Sequence, residues 1–118
     1  MSHSNVTVVT PPNALAIHVQ ELRRGTVVLA TLASLEQPRY GYALLEHLGT
    51  HGIEVEGNTL YPLLRRLERQ GLLSSEWNTN ESRPRKFYRL TREGQAVLRS
   101  LTREWHSLHN AVRTLSRG

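Results

Sequence analysis

Apolar residues recur every three or four positions from Asn13 to Leu35, at Leu15, Val19, Leu22, Val28, Leu29, Leu32 and Leu35. That is the period of a helix with one buried face, and Gln37-Pro38 stops it. Tyr40 to Leu48 reads as a shorter helix carrying Leu44, Leu45 and Leu48 on one side, ended by Gly49 and Gly52. Ile53 to Glu56 is a short extended linker. A third helix is predicted from about Asn58 to Gln70, with Leu60, Leu63, Leu64 and Leu67 as its apolar face and Gly71 as a left-handed stop. Asn58 or Thr59 is its expected cap, and Pro62 is expected inside its first turn. Arg65, Arg66 and Arg69 fall off the leucine face.

The pattern then changes. Leu72–Trp77 and Lys86–Leu90 read as two strands, joined by the polar, turn-forming stretch from Asn78 to Arg85. Thr91 is the expected cap of a last helix, with Gly94 a weak point in its first turn. Leu98, Trp105 and Val112 occupy one heptad position of that helix, and Leu101, Leu108 and Leu115 the other. A seam of this kind needs a facing helix. The chain's own first helix could supply it, as could a second copy exchanging first and last helices; the second is preferred here.

The order helix, helix, helix, hairpin, long helix predicts a mainly α protein with a small β-hairpin, a winged helix-turn-helix, dimeric through its N- and C-terminal helices. A division follows from it: a flexible arm over 1–12, the winged domain over 13–95 and a dimerisation helix over 96–118. At 118 residues there is material for one modest core. Phe87, Tyr88 and Leu90 are expected to close the wing onto that core, and Trp77 to cover its edge.

Charge sharpens the picture. The chain carries +5, and residues 57–92 alone hold Arg65, Arg66, Arg69, Arg83, Arg85, Lys86, Arg89 and Arg92 against Glu68, Glu76 and Glu81, an excess equal to the whole. All but one of the fifteen cations are Arg, whose planar fork suits phosphates and guanine edges. Cationic concentration of this kind is the footprint of a polyanion partner. With no Cys and no Asp, the chain offers no disulfide, thiolate metal site or Cys nucleophile, and no Ser/His/acid set on a recognisable elbow. No cofactor or metal is expected, and no enzyme. Val6 to Val9 is too short a run for a signal peptide or membrane span, so a cytoplasmic protein without a membrane partner is expected.

Several segments carry a closer likeness. Tyr40-Gly-Tyr42, Asn58-Thr-Leu-Tyr-Pro62, Arg66-Leu-Glu68 with Gly71-Leu72, and Arg85-Lys-Phe-Tyr-Arg-Leu-Thr91 with Gly94 stand in the order and spacing of one family. Over about residues 22–98 the sequence resembles the PadR family of bacterial transcriptional regulators. One helix after the wing resembles its short subgroup. The resemblance implies dimers joined by first and last helices, and repression of transcription until an aromatic or phenolic compound releases the protein. It also implies a place for Tyr42 at the DNA face.

In such a protein helix three enters the major groove of double-stranded operator DNA by its N-terminal end. Asn58 and Thr59 would reach phosphates or bases unless they only cap the helix. Tyr61 would reach a phosphate or sugar, and Pro62 a thymine methyl or the backbone. Arg65 and Arg66 lie mid-helix within reach of bases or flanking phosphates, Arg66 with a carboxylate partner as its alternative. Arg83, Arg85 and Lys86, stiffened by Pro84, would hold the minor groove and flanking phosphates. Gly41 would let the backbone approach DNA or helix one. Trp105, with Leu101 and Leu108, would form an effector pocket if two copies met there. His106/His109 and His47/His51 have two-ligand metal spacing without a third donor. Two other readings stand beside DNA binding: a winged-helix module for protein partners, and a regulator released by metals or oxidation, which the lack of Cys opposes.

Overall fold

The computed structural model describes residues 13–80 and 82–118, so the arm expected over 1–12 lies outside the described residues. Its elements are α1 (Ala14–Ser34), β1 (Arg39–Tyr40), α2 (Gly41–Thr50), α3 (Gly57–Arg69), β2 (Leu73–Asn78), β3 (Arg85–Leu90) and α4 (Arg92–Arg117). All four expected helices and both hairpin strands are there, with ends shifted by one or two residues. The sheet has three strands rather than two, in the antiparallel order β1-β3-β2. Tyr40 does not open the second helix as expected. It is extended, pairs with Phe87 and precedes α2 as its cap residue.

Leucines meet where the three shorter helices face the sheet. Leu32 and Leu35 of α1, Leu44 and Leu48 of α2, Leu60, Leu63, Leu64 and Leu67 of α3, Leu73 of β2, Tyr88 of β3 and Leu98 of α4 form one buried cluster. Each fully buried leucine is worth about 1.5–3 kcal/mol. Leu90 is half-buried against it, whereas Phe87, expected there too, is half-buried on the other face of the sheet beside Tyr40. Trp77, expected at the core edge, is 62% exposed instead. It lies one residue from the end of β2, on the sheet face of Leu73 and Ser75 but beyond the reach of the cluster, where Lys86 lies over its ring.

Two helices end the way their glycines require. Gly52 and Gly71 adopt φ of +84° and +79°. In each turn the following amide reaches back five residues, Ile53 N–H to Leu48 O at 2.8 Å and Leu72 N–H to Leu67 O at 3.0 Å. The start of α3 differs from expectation. Glu56 is the cap residue, without a side-chain bond, and its carbonyl accepts from Thr59 and Leu60 N–H at 2.9 Å each. Asn58 and Thr59 thus sit inside the first turn, and Pro62 falls in the second. Pro62 leaves the Asn58 carbonyl without its helical donor, and both residues lie at the exposed surface.

The entry to α4 is tied to the exit of α3. Thr91 Oγ1 accepts from Gly94 N–H at 3.0 Å, the expected cap, and donates to the Gly71 carbonyl at 2.6 Å. Thr91 N–H bonds the Leu72 carbonyl at 3.1 Å. Gly94 is more than a weak helix former, because a β-carbon there would collide with the Leu72 carbonyl oxygen. Close approach, not flexibility, explains it.

Beyond that point α4 leaves the core. Leu98 is buried and Leu101 half-buried against α1, but Trp105, Leu108, Val112 and Leu115 are 51%, 65%, 63% and 76% exposed. Leu15 and Leu22 of α1 are each 77% exposed. The chain's own first helix therefore covers only the first turns of the heptad seam.

Gly94→Ala separates propensity from packing. Helix propensity alone predicts a gain of about 1 kcal/mol; the clash with Leu72 predicts a loss of roughly 1–3 kcal/mol. Urea denaturation should show the loss.

Candidate nucleic-acid interface

Burial of its leucines turns the opposite side of α3 outward. Asn58, Thr59, Pro62, Arg65, Arg66 and Arg69 are all exposed. Thr59 Oγ1 makes a long contact with Asn58 Oδ1 at 3.5 Å, so neither side chain is engaged in capping. Tyr61 is half-buried at the edge of this face. Its ring lies between two glycines: a β-carbon at Gly41 would come within 2.7 Å of the ring, and one at Gly57 within 3.2 Å. Gly41 therefore makes room for Tyr61 of α3, rather than for DNA or α1.

Next to Tyr61 the start of α2 and the wing build an aromatic and cationic wall. Tyr40 and Tyr42 stack with centroids 5.9 Å apart and planes 18° apart, and the Tyr40 ring meets Phe87 edge-on at 4.9 Å. Asn78 Nδ2 donates to the Tyr40 hydroxyl at 2.6 Å, which fixes the first ring of the stack. The Arg85 guanidinium lies 4.5 Å above the centre of Tyr42, itself 51% exposed. Between them opens a cleft of about 480 Å³, walled by Tyr42, Tyr61, Tyr88, Arg83, Arg85 and Lys86. Burial, then the Glu68 carboxylate, pushes the Tyr88 hydroxyl above its usual range. It stays protonated at neutral pH.

The wing's cations differ in what already holds them. Arg83 is exposed beside Pro84. Lys86 points inward, its Nζ 3.7 Å from Glu68 Oε1. Glu68 is the one acid of α3, and its Oε2 also accepts from Ser75 Oγ at 2.6 Å. It is thus engaged with the wing and not with Arg66. Arg89 pairs with Glu76 across the two long strands at 3.2 Å.

Two arginines of α1 were missed by reading the sequence. Arg23 and Arg24 flank a second groove of about 1130 Å³ between α1 and α3, facing Arg66 and Arg69, with Val19, Val27 and Leu63 in its floor. Arg23 Nη1 donates to the Gly52 carbonyl at 3.2 Å, and Arg24 pairs with Glu21 at 3.1 Å. Their place beside α3 depends on how α1 crosses it, which leaves no local signal. The His47 and His51 rings lie 4.3 Å apart, but no group of three metal-ligating side chains forms among the described residues. No helix among them is long and apolar enough to cross a membrane.

A helix pair presenting the polar face of its second member, followed by a hairpin against the same face, defines a winged helix-turn-helix protein. The comparisons narrow this further. Residues 28–100 match the transcriptional regulator PadR-like family, and the chain belongs to it. It is 40% identical over 81 residues to Transcriptional regulator Rv3488 of Mycobacterium tuberculosis, a match covering 68% of this chain and 76% of that one. A PadR family transcriptional regulator from Eggerthella lenta superimposes with a TM-score of 0.85 at 53% identity, covering 87% of this chain and 92% of that one. A PadR-like regulator from Bacillus cereus gives 0.73 at 27% identity, covering 83% and 98%. The fold and the family are those of transcriptional regulators.

Gly41→Ala should destabilise the fold by roughly 1–3 kcal/mol through the Tyr61 ring. In a Tyr61→Ala background the same change should be close to neutral. Denaturation of the four variants of this cycle measures the coupling; equal effects in both backgrounds would remove the ring as the cause.

Proposed function

We propose that this protein is a DNA-binding repressor, working in the cytoplasm as a homodimer and released by a small planar aromatic compound. The observation that carries the reading is the cleft in which Tyr42 and Tyr61 of the helix-turn-helix meet Arg83 and Arg85 of the wing. Hydroxyls and guanidinium forks on one exposed surface suit a phosphate backbone. Asn58, Thr59 and Pro62 stand at the leading end of α3, where a major-groove helix meets base edges, with Arg65 and Arg66 a turn behind.

The dimer rests on the bare seam of α4. Trp105, Leu108, Val112 and Leu115 run as an exposed apolar stripe along α4, and Leu15 and Leu22 of α1 are bare as well; a stripe of this kind marks an interaction surface. A second copy crossing first helix over last helix would cover both, extending the contact begun at Leu98 and Leu101. The residues from 96 onward then serve as the dimerisation helix, and those from 13 to 95 as the DNA-binding domain. Two-fold pairing of Trp105 would leave two indole faces with Leu101 and Leu108 around them, a slot for a flat aromatic effector.

Fluorescence anisotropy with duplex DNA from upstream of the chain's own gene tests the DNA reading. If a dimer neutralises about six to ten phosphates, affinity should fall roughly a thousandfold or more between 50 and 200 mM salt. Arg83→Ala/Arg85→Ala should abolish binding at the higher salt; binding equal to the parent's would remove the wing from the interface. Sedimentation should give a dimer at micromolar concentration and a monomer for Trp105→Ala/Leu108→Ala. Fluorescence from Trp105, measured in a Trp77→Phe background, should quench with planar aromatic compounds; a flat response across a diverse set would leave Trp105 as packing alone.

A further inference from the structure

An acid on the helix that faces DNA needs a reason, since its charge repels phosphate. Glu68 is such an acid, and its two oxygens are divided between the two wing strands. Oε2 accepts from Ser75 Oγ of β2 at 2.6 Å, and Oε1 lies 3.7 Å from Lys86 Nζ of β3. The ion pair is about two-thirds buried, with the side chains of Lys86 and Glu68 only 30% and 32% exposed. The ammonium also lies over the rings of Trp77 and Tyr88, at 5.6 and 5.9 Å from their centres. The ion-pair and ring partners of Lys86 among the described residues thus belong to α3 or to the wing itself.

We infer that Glu68 is a positioning residue that sets the angle of the wing to α3, and that Lys86 is the wing's anchor to it rather than a phosphate ligand. The inference rests on the DNA-binding reading above. Its physical basis is leverage. Six residues of strand carry Arg85 and the tip about 20 Å from the Leu73 end of the hairpin. A slack of only 10° there moves the tip by about 3 Å, more than a hydrogen bond tolerates. The β1–β3 ladder and the Asn78–Tyr40 bond tie the wing to the start of α2. Towards α3 itself, the apolar contact of Leu73 and Tyr88 with the core resists separation better than rotation. A carboxylate hydrogen-bonded to one strand and ion-paired with the other adds a directional restraint on the α3 side. Lys86 at the same time cancels the charge that would repel the ligand.

The clamp and plain electrostatics predict opposite signs. Glu68→Gln removes a negative charge from a surface meant for a polyanion, which by charge alone tightens DNA binding. Loss of the clamp weakens it. Ser75→Ala changes no charge, so a weakening there has no electrostatic source. Lys86→Met distinguishes anchor from ligand, because each lost phosphate contact lowers the slope of log affinity against log salt by about 0.9.

The test is a titration of the upstream duplex at several salt concentrations with the full chain and these three variants, beside amide exchange of the free proteins. We expect each variant to bind roughly three- to tenfold more weakly with an unchanged salt slope, the loss expected for one typical hydrogen bond. Glu68→Gln/Lys86→Met should be no worse than the weaker single variant, and exchange over 73–78 and 85–90 should speed up in all. Binding by Glu68→Gln equal to or tighter than the parent's, a slope reduced by about one in Lys86→Met, or unaltered wing exchange would each overturn the clamp. If the parent binds no duplex while wing exchange still responds to Glu68→Gln, the DNA-binding reading fails and the restraint on the wing stands.

Discussion

The outward face of this protein is decided by what α3 must hide. Leu60, Leu63, Leu64 and Leu67 are all buried, and together they favour burial by several kcal/mol. Turning the helix about its axis would expose two of them and drive an arginine into the leucine cluster, where an unpaired charge is prohibitively unfavourable. With that rotation fixed, Arg65, Arg66 and Arg69 have nowhere to go but solvent, and Asn58, Thr59 and Pro62 follow at the leading end. Tyr61, between the two faces, is caught by Gly41 and Gly57 and becomes the wall against which α2 and the wing assemble.

The same core is too small for the whole chain. It absorbs Leu98 at the start of α4 and then stops, leaving the distal seam and the outer turns of α1 in water. The two longest helices each carry bare leucines, and in our proposal a second copy of the chain covers them. The tie between Thr91 and the Gly71–Leu72 turn gives this division a mechanical meaning. The exit of α3 and the entry of α4 are held as one piece, so in our proposal a change of tilt in α4 would reach the end of the helix proposed to read DNA.

Much of this was legible in the sequence, because periodicity of leucine reports directly on which face is buried. The four helices, the hairpin, the heptad seam, the Gly71 stop and the Thr91 cap all follow from spacing and local chemistry. What escaped depends on distances between segments. A strand of two residues has no period, so β1 and the extended Tyr40 went unseen. Asn58 and Thr59 are better caps than Glu56 by residue type, yet the chain turns earlier at Gly57. Gly41 and Gly94 are explained by a ring and a carbonyl from other elements. Glu68, Ser75 and Lys86 are scattered over nineteen positions and meet only because the hairpin folds back on α3. The residues proposed to touch DNA were named on spacing and family likeness together. The fold gathers Tyr42, Tyr61, Arg83, Arg85 and Lys86 around one cleft and sets Thr59, Pro62 and Arg66 on the neighbouring groove beside α1.

The central claim is that a single face, formed by the start of α3, the start of α2 and the wing, receives duplex DNA. Amide exchange with and without the upstream duplex reads that face directly. Protection confined to residues 41–43, 57–66 and 83–86, with the distal half of α4 unchanged, is the result the account predicts. Protection centred on α4, or none at a salt concentration where the duplex is bound, would contradict it.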